Sequence, residues 1–131
     1  MPGRPVLLNE RMEVFSSSCI FCKIIQGTLP AKKITENDSV LVIQDISPKA
    51  PIHYLILPKT HVADMSALTQ AEDHYAIAMI NMVTTLSKTL KTPPSFNVVS
   101  NNGAASGQSV FHLHWHFLAG KNVYEHGLKL Q

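Results

Sequence analysis

Between Gln108 and Leu118 the chain reads QSVFHLHWHFL, three histidines at alternate positions among large apolar residues. In an extended strand successive side chains point to opposite faces, so His112, His114 and His116 share one face and Phe111, Leu113, Trp115 and Phe117 the other. A helix would fan the imidazoles out by roughly 200° per two-residue step and give neither set a face. Crowding three imidazoles without partners costs roughly 1–3 kcal/mol each in unmet hydrogen bonds, which a purely structural role does not recover. Near neutral pH imidazole serves as nucleophile, general acid or metal ligand, and phosphoryl and acyl centres are its usual nucleophilic targets. Directly ahead, Gly107, Gln108 and Ser109 offer backbone N–H groups and a hydroxyl to an anion.

A second reactive group lies far upstream. Cys19 and Cys22 have the spacing of two zinc ligands or of a redox pair, and are too close for an ordinary structural bridge. A thioredoxin-like pair follows a strand and opens a helix in a βαβ unit, and the sequence predicts no strand before Cys19. A tetrahedral zinc site needs two more ligands. Outside the triad the histidines are His53, His61, His74 and His126, and His61, just beyond Pro58-Lys59, is better placed to reach a neighbouring element than mid-helix His74.

The elements that must position these groups are legible in outline. Residues 1–17 mix Pro, Gly, Arg and Ser without periodicity and are expected to be a flexible tail, leaving 18–131 as a single domain. CIFCKIIQG reads as a short helical or turn segment closed by Gly27 and Pro30. The apolar runs Val40–Ile43 and Tyr54–Leu57 read as buried strands, joined through the turn residues Asp45–Pro51 as an antiparallel hairpin. Thr69-Gln70-Ala71-Glu72 matches a capping box, and behind it Tyr75, Met79, Met82, Val83, Leu86 and Leu90 recur at helical spacing. One long helix over roughly 70–91 follows, ended by Pro93-Pro94. Phe96–Val99 and the histidine segment add strands on either side of the loop Asn101–Gly107. Strands, one long helix and strands again make an α+β domain with a mostly antiparallel sheet.

Composition limits the functions open to it. With 131 residues, 45% hydrophobic and 15% charged, the chain can build one core. A net charge of +2 with scattered basic residues gives no stripe for nucleic-acid phosphates. No apolar run reaches the ~18–20 residues of a membrane span, and the amino terminus has no convincing signal peptide. Two unbridged thiols fit a reducing, cytoplasmic setting.

HLHWHFL resembles the His-φ-His-φ-His-φ-φ signature of the histidine-triad (HIT) family of nucleotide-binding hydrolases and transferases. It comes with that family's GQSV lead-in, its DISPKAPIHYLILPKTH segment and its CIFCKIIQGTLPAK opening, a match from about Cys19 to Leu118. Within the family it is most similar to the nucleotide-binding proteins that act on purine nucleoside phosphoramidates. The resemblance implies a five-stranded antiparallel sheet with one long helix and a short N-terminal helix, the sheet extended across a homodimer; Met79 and Met82 offer apolar material for that contact. It implies His114 as nucleophile, forming a nucleotidyl-histidine that water hydrolyses, with His112 orienting it. His116 and Ser109 contact phosphate oxygens and help protonate the departing amine, and Asn101 and Gln108 line the phosphate side. Asp45 binds the ribose hydroxyls, Phe21, Ile24, Ile43 and Ile46 wall the purine slot, and His53 is a fourth histidine near the triad.

Relatives with CxxC at this place bind zinc, which implies one structural zinc per chain on Cys19, Cys22, His61 and His112, not required for chemistry. The implied partner is a purine nucleotide, an AMP or GMP derivative, with no membrane or nucleic-acid polymer. Two other readings share these residues: a dinucleoside polyphosphate hydrolase of the same superfamily, and a non-catalytic nucleotide-binding or scaffold protein. Transfer to a second phosphate is disfavoured, because transferases of the family carry Gln where this chain has His116.

Overall fold

The computed structural model describes residues 5–7, 14–125 and 127–130. His126 and the rest of the 1–17 segment lie outside the described residues.

The sheet is built where the sequence alternates. Five antiparallel strands, β3 (Lys33–Glu36), β4 (Val40–Gln44), β5 (Ile52–Pro58), β6 (Phe96–Val99) and β7 (Trp115–Ala119), stand in the order β3-β4-β5-β7-β6. β4 and β5 form the expected hairpin, with Val40 opposite Pro58 and Gln44 opposite Tyr54. β3 was not legible because Lys33–Glu36 carries a single apolar residue and pairs as an edge with an irregular register.

One face is covered by the long helix α2 (Asp73–Ser87), which buries Tyr75, Met79, Met82 and Leu86. These meet Val40, Val42, Ile56, Leu113, Phe117 and Ala119. The opposite face carries Leu41, Ile43, Leu55 and Leu57 against Phe21 of the short helix α1 (Ile20–Gln26). With both faces of β4 and β5 covered, their side chains have no polar alternation, which explains the continuous apolar runs. His53 and His116 project from the α1 face, since β5 and β7 place Leu55 opposite His116 and His53 opposite Leu118.

Three expectations are corrected. The helix is shorter than 70–91: Thr69–Glu72 does form the capping box, but it closes a single 3₁₀ turn before α2 starts, and after Ser87 the chain turns off. Met79 and Met82 are buried in the chain's own core, so they are not free for a second copy; the outward positions of α2 are Ile77 and Ile80. Part of the expected tail is ordered, because β1 (Pro5–Leu7) pairs with β2 (Val14–Ser16), and β2 is anchored by His61 N–H to the Val14 carbonyl (2.6 Å) and Val14 N–H to Thr60 Oγ1 (2.8 Å). A strand therefore does precede the cysteines, but it belongs to a separate antiparallel hairpin and not to a βαβ unit. Among the described residues no helix is long and apolar enough to cross a membrane.

Removing core volume under α2 tests this packing. Met79→Ala should lower the free energy of unfolding by about 2–5 kcal/mol in urea denaturation, because Met79 is fully enclosed between helix and sheet.

Candidate functional site

β7 begins only at Trp115, so His112 stands in a bend, His114 in the irregular lead-in after it, and His116 alone in the strand. The lead-in is held by Leu113 N–H donating to the Val62 carbonyl at 2.6 Å, which parts it from the regular ladder. Phe111 is correspondingly half exposed instead of joining the core, while Leu113 and Phe117 are buried as expected. The three imidazoles are all buried. The His114 ring lies 5.2 Å from that of His116, and Phe21 sets its edge against His112 (5.8 Å) and His114 (5.2 Å).

Hydrogen bonds assign each ring a different chemistry. His114 Nδ1 lies 2.8 Å from the His112 carbonyl. A carbonyl only accepts, so Nδ1 carries the proton and the lone pair of the neutral ring is on Nε2. His112 Nε2 donates to the Pro58 carbonyl at 2.9 Å, which turns its Nδ1 lone pair toward the thiols of Cys19 (3.4 Å) and Cys22 (3.6 Å).

His116 is set from the other side. The Lys49 backbone N–H donates to His53 Nδ1 at 2.9 Å, so neutral His53 carries its proton on Nε2, 2.9 Å from His116 Nδ1. His116 Nδ1 accepts, and His116 is left with an N–H donor at Nε2. Asp45 Oδ2 stands beside this pair, 3.4 Å from His53 Nε2 and 4.0 Å from His116 Nδ1, while its Oδ1 accepts from Ser47 N–H at 2.7 Å. Asp45, His53 and His116 are close enough to hold a cation. The Lys49 N–H argues against it, since a histidine ligating through Nε2 needs its Nδ1 proton free to donate.

Cys19, Cys22, His61 and His112 converge with their ligand atoms all within 4.8 Å of one another. Cys19 caps α1, its sulfur accepting from Cys22 N–H, so the CxxC pair is presented at the helix amino terminus. His61 Nδ1 lies 3.4 Å from the Cys22 sulfur. Zn–S of ~2.3 Å and Zn–N of ~2.0–2.1 Å in a tetrahedron give ligand edges of about 3.4–3.8 Å. The Cys19–His112, Cys22–His112 and Cys22–His61 separations of 3.4, 3.6 and 3.4 Å fall in that range, and with His112 presenting a bare Nδ1 the donor set fits a metal ion. Hydrogen bonding from Cys22, assisted by His112 and His61, pulls the Cys19 thiol far below its ordinary pKa against the opposing effect of burial; the same shared bond, with burial, raises Cys22.

The remaining expected residues divide. Phe21 and Ile43 are buried together with half-buried Ile24 against them, whereas Ile46 is fully exposed on the turn after β4 and does not join that wall. Turn geometry explains this, because the chain bends around the Asp45–Ser47 hydrogen bond and carries Ile46 outward. Gln108 does not offer its side chain to a phosphate: its carboxamide is buried, accepting from Gly103 N–H (2.8 Å) and donating to the Ala63 (2.7 Å) and Val110 (3.0 Å) carbonyls. It clamps the glycine loop, which Gly107 turns with φ of +100°. Ser109 is exposed and Asn101 half-buried at the loop's two ends. The sequence singled out neither the Lys49 backbone N–H nor Pro58 as partners of the histidines; a main-chain group has no signature in residue type.

The profile of the HIT domain matches residues 26–123. The chain belongs to the HIT family. An uncharacterized HIT-like protein of Mycoplasma genitalium is 39% identical over 103 residues, covering 79% of this chain and 73% of that protein. The crystal structure of a HIT family hydrolase from Legionella pneumophila superposes with a TM-score of 0.75 at 32% identity, covering 79% of this chain and 94% of that one. A zinc-bound HIT family protein from Mycobacterium smegmatis superposes with a TM-score of 0.73 at 29% identity, covering 87% of this chain and 83% of that one. The sheet and long helix of this chain are thus the HIT fold, in a family with hydrolase-like function.

Burial is the chief cause that holds the His53 pKa below its ordinary value, with Lys49 adding to it and Asp45 opposing. The folded state therefore binds this proton less well than the unfolded chain, so stability is fully present above the unfolded value of about 6.5 and is lost as pH falls below it. The urea midpoint should drop between pH 7.5 and 5, and His53→Gln should flatten that slope.

Proposed function

We propose that this HIT protein is a nucleotidyl hydrolase that cleaves purine nucleoside 5′-phosphoramidates, AMP or GMP joined to an amine, through a covalent nucleotidyl-histidine. The observation that carries this reading is the His114 Nδ1–H bond to the His112 carbonyl, which leaves a neutral imidazole with its lone pair on Nε2, beside a histidine with an N–H donor.

His114 Nε2 attacks the α-phosphorus, and the bond from phosphorus to the amine nitrogen breaks as the bond to Nε2 forms. The His116 Nε2–H hydrogen-bonds the departing nitrogen, which takes its proton from solvent and leaves as the amine, so His116 stays neutral. Water then attacks the phosphorus and breaks the bond to Nε2, losing its proton to solvent, and the nucleoside monophosphate departs. Splitting one displacement into two lowers each barrier. Ser109 faces the phosphate oxygens with its hydroxyl, whereas the Gly103, Ser106, Gly107 and Gln108 N–H groups are taken up by acceptors inside the loop. Asp45 accepts from the ribose hydroxyls, and Phe21, Ile24 and Ile43 wall the base. His53 positions His116 by fixing its tautomer.

Cys19, Cys22, His61 and His112 hold zinc in this reading, where the ion would supply a cross-link between α1, the segment after β5 and the triad lead-in, and no chemistry. The two thiols fit a reducing, cytoplasmic compartment. The protein is a homodimer that uses Ile77 and Ile80 of α2 and the open edge of β6, where Phe96 and Val98 are exposed.

Mass spectrometry of protein mixed with a slowly turned-over adenosine phosphoramidate should find the nucleotidyl mass on the peptide containing His114. His114→Ala should lose that adduct and four or more orders of magnitude in turnover, a barrier of about 5 kcal/mol or more, while AMP still binds. A tenth of the wild-type rate remaining would remove His114 as nucleophile. Elemental analysis should find one zinc per chain, and chelation should lower the melting temperature; absence of metal with freely titrating thiols would refute the zinc assignment. Light scattering should give a dimer mass for the wild type and a smaller one for Ile80→Glu.

A further inference from the structure

The cysteine–histidine cluster has one side that opens outward. Cys22 and His112 are buried, whereas Cys19 and His61 are half-buried. A cavity of ≈ 480 Å³ is lined by Cys19 and His61 together with the exposed side chains of Ile20 and Phe111. Behind Cys19 the Cys22 sulfur is enclosed: it accepts from Ser16 N–H at 3.4 Å and stands 3.4 Å from His61 Nδ1 and 3.6 Å from His112 Nδ1. The Cys22 N–H donates to the Cys19 sulfur at 3.3 Å, and the two sulfurs lie within 4.8 Å of one another. One thiol residue therefore borders open space, and the second stands directly behind it.

We propose that Cys19 and Cys22 are a thiol–disulfide exchange site for small-molecule disulfides, with Cys19 the attacking thiol and Cys22 the resolving one. Two cysteines three residues apart at the start of a helix have a spacing at which such a pair closes on itself. A disulfide that enters the cavity meets Cys19 first. The Cys19 sulfur gives up its proton and attacks one sulfur of the disulfide; the mixed disulfide forms, the incoming S–S bond breaks, and the first thiol leaves with that proton. The Cys22 sulfur then gives up its proton and attacks the Cys19 sulfur, and the second thiol leaves with it. The pair is oxidised to a disulfide and the small molecule is reduced to two thiols. The exchange needs only the two thiols and the cavity, so it does not rest on the zinc reading. With an ion in place it starts from the bound thiolates, the departing thiolates take their protons from solvent, and the cluster loses both sulfur donors. Reduced, the two sulfurs stand against His112 Nδ1, and the carbonyl of the same residue holds the His114 proton. Oxidation removes that support, which ties the triad to the disulfide level of its compartment.

The test incubates full-length protein with oxidised glutathione at neutral pH and follows intact mass and free thiols. The wild type should lose about two mass units and both thiols, with the new bond inside the peptide that carries Cys19 and Cys22, and dithiothreitol should restore both thiols. Cys22→Ser should stop at a glutathione adduct on Cys19, and Cys19→Ser should react about tenfold or more slowly than Cys22→Ser. Zinc in the preparation should pass to a chromogenic chelator at the rate of thiol loss. Wild-type thiols that survive unchanged, a mixed disulfide that persists on the wild type, or equal rates in the two variants would overturn the exchange site while leaving the zinc and hydrolase readings intact. If a cysteine variant fails to fold, the wild-type product decides. Zinc-free protein that still closes the disulfide would support the exchange site and remove the zinc assignment, so the two readings fail separately.

Discussion

The 2.8 Å hydrogen bond from His114 Nδ1 to the His112 carbonyl decides what the triad can do. An imidazole protonated on Nε2, or on both nitrogens, would present no lone pair to a phosphorus atom. The bond exists because His112 cannot move: Pro58 holds one ring nitrogen, the thiols surround the other, and the next residue is tied to Val62. Each anchor comes from a different segment, so the tautomer of one ring depends on α1, on the end of β5 and on the lead-in to β7 together.

Two polar clusters flank that ring with opposite properties. On one side His112 and His61 turn Nδ1 toward two thiols, a soft donor set suited to a metal cross-link. On the other side His53 and His116 pass a hydrogen bond from the Lys49 backbone toward the substrate face, with Asp45 alongside. The Lys49 N–H on Nδ1 makes His53 a neutral ring, burial lowers its pKa in the same sense, and neutrality is what makes the direction of that hydrogen-bond chain unique. The apolar layer of Phe21, Leu41, Ile43, Leu55 and Leu57 lies beneath both clusters, so the same packing that completes the core excludes water from the imidazoles.

Much of this was legible in residue order. Alternation placed Phe117 in the core and His116 opposite it, and Val40–Ile43 and Tyr54–Leu57 announced the central hairpin because both faces of those strands are covered. The CxxC pair with His61 and His112 forms the cluster that the family resemblance implied. The sequence misled where tertiary contacts override local pattern. Phe111 alternates correctly yet stays outside because the lead-in bonds Val62 instead of a strand. Gln108 is polar and beside the glycine loop, but three backbone groups saturate it. Val14–Ser16 lacks any pattern of its own and is ordered by what it docks onto.

The tautomer of His114 is directly measurable. Long-range ¹H–¹⁵N correlation spectra of ring-labelled protein at neutral pH should show His114 neutral, with its Nδ1 protonated and its Nε2 bare. A His114 ring protonated on Nε2, or one charged at that pH, would contradict the account, because neither form could attack phosphorus from the position the fold gives it.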